Sequence, residues 1–348
     1  MKLPSFFILF LTLSLFSCKS SDNAQRIKDS AGDLLIAFYN VENLFDTQDQ
    51  ADKIDEDFTP SGRYKWDETK YQTKLQNLSR VIQSMGSTGP AILGLAEVEN
   101  RAVLEDLVQM SSLSARNYAI VHEESPDMRG IDVALLYDPA EFHYKSHQAY
   151  EILFPTEPDY TSRKVLMIQG KINKEEVYLF VNHWPSRRGG MEVSEVRRLT
   201  VARRVRQILE QIRKDQPNAH LLLMGDFNDD PFNKSLAEVL QAKSSPDRLS
   251  PDALYNPLYS LHQPDSVGTL TYKGKWNLFD QILISPSLLE AGSRCTYISQ
   301  SAGIHRPEFM QVGGNGYAKD MPRRAIFRGE FRDDGFSDHF PVYLKLKR

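Results

Sequence analysis

Short aliphatic runs that break off into polar motifs set the first limit on this fold. Leu34–Phe38, Ala91–Leu95, Val177–Val181 and Leu221–Met224 are largely apolar and bounded by polar residues. A strand with one buried face alternates apolar and polar side chains, whereas a continuous run belongs to a strand covered on both faces. The motifs at these tips are Phe38-Tyr39-Asn40-Val41-Glu42-Asn43, Ala96-Glu97-Val98-Glu99-Asn100, Val181-Asn182-His183-Trp184-Pro185 and Gly225-Asp226-Phe227-Asn228. A fifth, Ser337-Asp338-His339-Phe340-Pro341, precedes the last apolar run. Strand ends lie at the rim of a sheet. Five of them on one rim would make an acidic pocket holding two imidazoles, which is an active site and a candidate metal site.

The same patterning predicts strands at Asp33–Tyr39, Ala91–Leu95, Tyr118–His122, Asp132–Tyr137, Val165–Ile172, Val177–Val181, His220–Met224, Leu278–Ile284 and Pro341–Leu346. Helical patterns lie at Lys70–Ser84, Arg101–Gln109, Glu192–Lys214 and Lys234–Gln241. In the long one, Val193, Val196, Leu199, Ala202, Val205, Ile208, Leu209 and Ile212 form a stripe expected to face the core, with the arginines from Arg197 to Arg206 mostly solvated. Two irregular stretches remain. Gln48 to Arg63 is acidic but lacks glycine where an EF-hand loop must turn. Gln300 to Gly335 carries Arg306, Arg323, Arg324, Arg328 and Arg332, and either selects substrate beside the rim or only covers an edge.

The first residues read as an address. Lys2, the apolar stretch Phe6 to Phe16 and Leu15-Phe16-Ser17-Cys18 follow in the order of an export signal. A stretch of about 11 residues is too short to span a bilayer. A small residue followed by Cys resembles a lipobox, so residues 1–17 are expected to be removed and Cys18 lipidated; ordinary secretory cleavage with an unmodified Cys18 is the alternative. Residues 18–32 form a polar tether, and residues 33–348 a single catalytic domain. The implied location is the bacterial cell envelope, lipid-anchored, with the domain acting as a monomer. Cys295 is the only other cysteine, which excludes a disulfide framework and a thiolate metal site. A formal charge of −4 gives no global attraction for polyanions, so a nucleic-acid substrate would need a local basic patch.

Together the five motifs resemble the endonuclease/exonuclease/phosphatase superfamily, the fold of pancreatic deoxyribonuclease, from Leu34 to the C-terminus. The resemblance implies an α/β four-layer sandwich: two mixed β-sheets face to face with helices on the outer faces. It implies that Asn40 contacts phosphate or metal, that Glu42 lies near a metal, and that Glu97 is the principal metal ligand, with Asp338 on the metal side. His183 would contact the scissile phosphate and Asn182 the phosphate or the neighbouring backbone. Asp226 and Asn228 would position the attacking water, and His339 would be the catalytic histidine held by Asp280. Ser186-Arg187-Arg188-Gly189-Gly190 is similar to a segment of exported nucleases, in which Arg187 and Arg188 would hold phosphate; a solvated turn is the alternative. Arg129-Gly130-Ile131-Asp132 is also shared with exported relatives, Asp132 there fixing a loop.

The chemistry suits these residue types. A phosphodiester repels nucleophiles until a cation and hydrogen-bond donors neutralise its oxygens. Oxygen ligands favour Mg²⁺, or Mn²⁺ or Ca²⁺, over zinc. Two carboxylates about 5 Å apart cost about 3 kcal/mol at an effective dielectric of 20. A divalent ion relieves that repulsion, as would protonation or separation. The expected activity is hydrolysis of DNA or RNA phosphodiesters by activated water. The alternatives are an inositol-phosphate or sphingomyelin phosphoesterase on the same centre, disfavoured by Asp229-Asp230 beside it, and a silent binding lipoprotein.

Overall fold

The computed structural model describes residues 26–28, 30, 32–313 and 320–348; Cys18 and most of the expected tether lie outside them. Two seven-stranded sheets are stacked face to face. The first contains β1 (Asp33–Leu44), β2 (Ile92–Val98), β3 (Ala119–His122), β4 (Asp132–Tyr137) and the C-terminal strand Val342–Lys347. The second contains β5 (His143–Tyr150), β6 (Val165–Ile172), β7 (Glu175–His183), β8 (His220–Asp226) and the strand Asp280–Ile284. Both are mixed: β1 runs parallel to β2 and antiparallel to the C-terminal strand, while β7 runs parallel to β8.

The apolar runs are buried on both faces because each sheet lies between a partner sheet and helices. Leu34, Ile36 and Phe38 of β1 point to the inter-sheet core with Leu222 and Met224 of β8, Ile282 and Leu344. The alternate residues Leu35, Ala37 and Tyr39 pack instead with Leu75, Leu78 and Ile82 of α1 (Glu68–Ser84) and Leu104 of α2 (Arg101–Gln109). On the far side, Phe180, Leu221 and Leu223 meet Val201, Val205 and Leu209 of α3 (Met191–Asp215). Helix, sheet, sheet and helix are thus the four layers implied by the resemblance. At Gly94 the facing sheet leaves no room for a side chain, since a Cβ there would lie 2.5 Å from Met224 Sδ.

Three local expectations change. β5 was not predicted, since His143–Tyr150 is largely exposed and carries no apolar run. Lys234–Gln241 is reduced to one π-turn, Ser235–Val239. In α3 the buried face starts with Ser194 and Arg198, while Val193 and Val196 are exposed. Arg198 is wholly buried because its Nε meets Asp229 Oδ1 at 2.7 Å, an ion pair that draws the helix start inward.

Candidate active site

Strand register assembles the site. Asn182 and His183 of β7 lie opposite Gly225 and Asp226 of β8, and Asp280 lies opposite Asp226 on the other side. Gly225 is required by this crowding, for a Cβ would lie 2.4 Å from the Asn182 carbonyl oxygen. In the first sheet Asn40 pairs with Ala96, and the next register pair is Leu44 with Val98. Against β4 the pairs are Ala96 with Val133 and Val98 with Asp132, so Glu97 is left over as a bulge. Glu42, Asn43 and Glu97 take φ of 53°, 55° and 64° there. Non-glycine residues in that left-handed region are strained, and bulges re-aim side chains at functional rims.

One part of the site joins a buried carboxylate to a buried imidazole. Asp280 Oδ2 lies 2.7 Å from His339 Nδ1, and both side chains are buried. Ser337 Oγ donates to the Asn40 carbonyl at 2.7 Å and accepts from the His339 amide at 3.0 Å, coupling the two rim motifs. Burial opposes the imidazolium, yet Asp280, Asp338 and Asp226 together outweigh it and hold His339 well above the ordinary histidine range. Asp226 accepts from Asn40 Nδ2 at 3.1 Å and from the Asn228 amide at 2.9 Å, and its Oδ2 is 4.0 Å from His339 Nε2. Burial, reinforced by Asp280 and Glu97 against His339 and the Asn228 amide, pushes the Asp226 carboxyl up to about 7. Asn228, at φ 51°, donates through Nδ2 to the Trp184 carbonyl at 3.0 Å.

His183 is the opposite case. Its Nε2 lies 3.8 Å from Glu97 Oε1 and 3.7 Å from Asp226 Oδ2, beyond hydrogen-bond reach, and its buried Nδ1 has no partner. Burial first, then Arg163, Arg129 and His339, push it well below the ordinary range. Neutral His183 presents a ring to the mouth without adding charge.

The other part is acidic. Glu97 and Asp338 keep 15% and 29% side-chain exposure and are the carboxylates open to the mouth. Glu97 Oε2 accepts from the Asn43 amide at 3.1 Å, and Asp338 Oδ2 meets Arg324 Nη2 at 2.7 Å. Glu42 departs from its expected metal role: its carboxylate oxygens accept the Ala325 and Ile326 amides at 2.6 and 3.3 Å, anchoring the late loop. Burial and Asp338 push Glu42 up to about 8, against the pull of Lys74 and Arg324. Burial is the first cause of both displaced carboxyls, and repulsion from neighbouring carboxylates, which a hard cation would relieve, adds to it. Asn40, whose Oδ1 also accepts the Glu42 amide at 3.0 Å, and Glu97 and Asp338 carry oxygen donors of the kind a divalent ion takes. Asp226, Asp280 and His339 also place donor atoms within 4.8 Å of one another, but Asp280 and His339 are already engaged with each other.

The phosphate-contact group does not assemble as expected. Asn182 is fully buried; it donates to the Met224 carbonyl and accepts from Trp184 Nε1 at 3.1 Å, which leaves it the alternative role of orienting backbone. Arg187 donates to the Asn228 carbonyl, Asp229, Asp230 and Asn233, and lies 4.4 Å over Phe279, so its guanidinium ties the Asn228 loop in place. Arg188 is exposed beside it, and the Gly190 amide is bonded to the Arg187 carbonyl. Asp229 and Asp230 are buried and matched by Arg187 and Arg198, so they do not project repulsion toward a substrate. Asp132 fixes a loop, accepting from the Ser125 amide at 2.7 Å and meeting His122 Nε2 at 3.0 Å.

Four cations have structural roles that the sequence analysis does not assign. Buried Arg163 bonds the His183 and Trp184 carbonyls and Asp127 Oδ2, so it locks the end of β7 to the Arg129 loop. Lys74, buried in the middle of α1, donates to the Phe336 carbonyl at 2.8 Å and faces Glu42, Asp338 and Glu97. Arg198 and Arg324 complete the set. Lys74 alone had a signal, a charged residue between Tyr71, Leu75 and Leu78 on the apolar face of its helix.

The sequence model of the Endonuclease/Exonuclease/phosphatase family matches residues 35–348. Among solved structures, a humanised TDP2 from D. rerio superposes with a TM-score of 0.54 at 16% identity, covering 91% of this chain and 100% of that one. An endonuclease/exonuclease/phosphatase family protein from Bacteroides thetaiotaomicron gives 0.52 at 16% identity, over 90% and 97%. The human Nocturnin catalytic domain with bound sulfate gives 0.51 at 15%, over 91% and 94%. At such identities the likeness is one of fold. No curated protein sequence matches this one.

Proposed function

The chain belongs to the endonuclease/exonuclease/phosphatase family and is a metal-dependent phosphoester hydrolase, and within that class we propose that it is an exported nuclease cutting DNA or RNA phosphodiesters. The observation that carries the reading is the Asp280–His339 contact at 2.7 Å, facing Asp226 across a mouth rimmed by Glu97 and Asp338. Asp226 takes the proton of the attacking water, a task suited to a carboxyl displaced toward neutrality. Asn228, braced by Trp184, orients that water. His339, kept cationic by Asp280, donates to a phosphate oxygen as charge gathers there, and neutral His183 contacts another. Asn40, Glu97 and Asp338 would hold Mg²⁺, which supplies Lewis-acid neutralisation of the phosphate when bound.

The proposed setting is the cell envelope, with Cys18 lipidated as the membrane anchor. Labelled fatty acid that is incorporated by the wild type and not by Cys18→Ser supports the anchor; equal labelling refutes it. The activity is tested on plasmid DNA, RNA and bis-p-nitrophenyl phosphate with Mg²⁺ or Mn²⁺, with chelator and His339→Ala controls. Cleavage of either polymer that depends on the metal and on His339 supports the nuclease. Turnover of the small ester or of inositol phosphates alone would replace it with the second phosphoesterase, a reading strengthened by the internal neutralisation of Asp229 and Asp230.

A further inference from the structure

The late loop holds an aromatic and basic tract, Arg323-Arg324-Ala325-Ile326-Phe327-Arg328-Gly329-Glu330-Phe331-Arg332. It forms a small hairpin, Ile326–Phe327 against Glu330–Phe331, closed by Arg328 and Gly329 at φ 54° and 84°. Two positive-φ residues in a two-residue turn suit the twist of paired strands. Alternation then sorts the side chains. Ile326 and Phe331 pack on the first core, Phe331 edge-on to Trp66 at 5.1 Å. Phe327 points away and remains 42% exposed, with the Arg328 and Arg332 guanidinium carbons 5.2 and 6.0 Å from its ring. The hairpin is no loose arm, because Glu42 accepts the amides of Ala325, just before it, and Ile326, its first residue.

Beside this ring lies a cavity of about 160 Å³, walled by Met321, Pro322 and Phe327 with Arg324, Arg332 and Asp338 at its polar side. Apolar walls, an aromatic face and two guanidiniums next to a catalytic carboxylate match one flat heteroaromatic ring attached to a phosphate backbone. A base paired inside a duplex cannot enter such a side pocket without leaving its stack. Resting on the nuclease reading, we infer that the Phe327 hairpin is a base-stacking subsite that makes single-stranded nucleic acid the substrate. Stacking on Phe327 is tolerant of base identity, while Arg328 and Arg332 track the backbone. Arg324 and Arg332 are themselves paired with Asp338 at 2.7 Å and Asp334 at 3.3 Å, so a bound strand's phosphates would share them with those carboxylates, while Arg328 stands exposed at the turn.

The test couples the ring to the base. Affinity is measured in Mg²⁺ on a His339→Ala background, to prevent turnover, for a single-stranded oligothymidylate and an abasic oligomer of equal length and charge. The preference for the base-bearing strand is expected to be on the order of ten-fold, to collapse toward unity in Phe327→Ala, and to persist in Phe327→Trp. Melting temperature verifies that each variant is folded. No preference in the parent, or an unchanged one in Phe327→Ala, overturns the subsite. A chain that cleaves polymer without this coupling keeps the nuclease and loses the subsite. A chain that shows the coupling but cleaves no polymer loses the nuclease and keeps the subsite.

Discussion

His183 and His339 stand at one mouth, both buried, and answer burial in opposite ways. His339 is driven well above the ordinary range and His183 well below it. The desolvation penalty acts on both in the same sense, so the neighbours decide. His339 has Asp280 in hydrogen-bond contact and two further carboxylates nearby; His183 has Arg163, Arg129 and the charged His339. A site can therefore hold a charged and a neutral imidazole side by side, provided that each is assigned its counter-charges by the fold.

The largest break in this contrast is Asp280→Asn, which keeps the side-chain size and removes the charge. His339 should then become neutral like His183. The turnover number is expected to fall about 10³-fold, near 4 kcal/mol of transition-state stabilisation, with the fold intact by circular dichroism. A loss under ten-fold would show that His339 does not depend on its partner. Lys74 extends the rule from imidazoles to carboxylates, since it is the buried cation facing Glu42, Asp338 and Glu97. Lys74→Met leaves buried acid unmatched and should cost about 3–5 kcal/mol in chelator. Saturating Mg²⁺ should restore more stability to the variant than to the wild type in denaturant melts. Equal gains would separate Lys74 from the metal-side carboxylates.

What the sequence makes legible follows the same line between local and distant causes. The apolar runs announce β1, β2, β7 and β8, because burial on both faces excludes polar residues from them. β5 stays hidden, because an exposed strand writes no such pattern. Arg198 reads as one arginine of a solvated run, since its partner Asp229 lies 31 positions away and only the fold brings them together. The rim motifs are readable as a set, whereas Glu42 and Arg187 are not readable in role: each resembles a functional group and is bound to backbone or loop carboxylates that no spacing reveals. The hairpin at Phe327 is a different miss. Arg328-Gly329 between Ile326-Phe327 and Glu330-Phe331 is a turn signal present in the sequence, obscured by treating the segment as a chain of arginines.

His305 supplies a third histidine, without a carboxylate partner among the described residues, and sharpens the contrast outside the site. Burial alone lowers it from 6.5 to about 4, and its Nε2 is bonded to Ser84 Oγ at 2.7 Å. Between those two values the unfolded chain binds a proton that the native chain refuses, so stability falls as pH falls. The contribution is whole above pH 6.5 and is lost on descending to pH 4, by about 3 kcal/mol. His305→Gln should flatten the stability profile over that window relative to the wild type, and equal slopes would mean that His305 is not held neutral. Ser84→Ala probes the bond itself and is the smallest change. It removes the hydroxyl, leaves a buried ring nitrogen unsatisfied, and should cost about 1–2 kcal/mol at pH 7. Since the partner is neutral above pH 6.5, that cost should stay constant as pH rises from 7; a cost that changes there would place a charge on His305 and break the comparison.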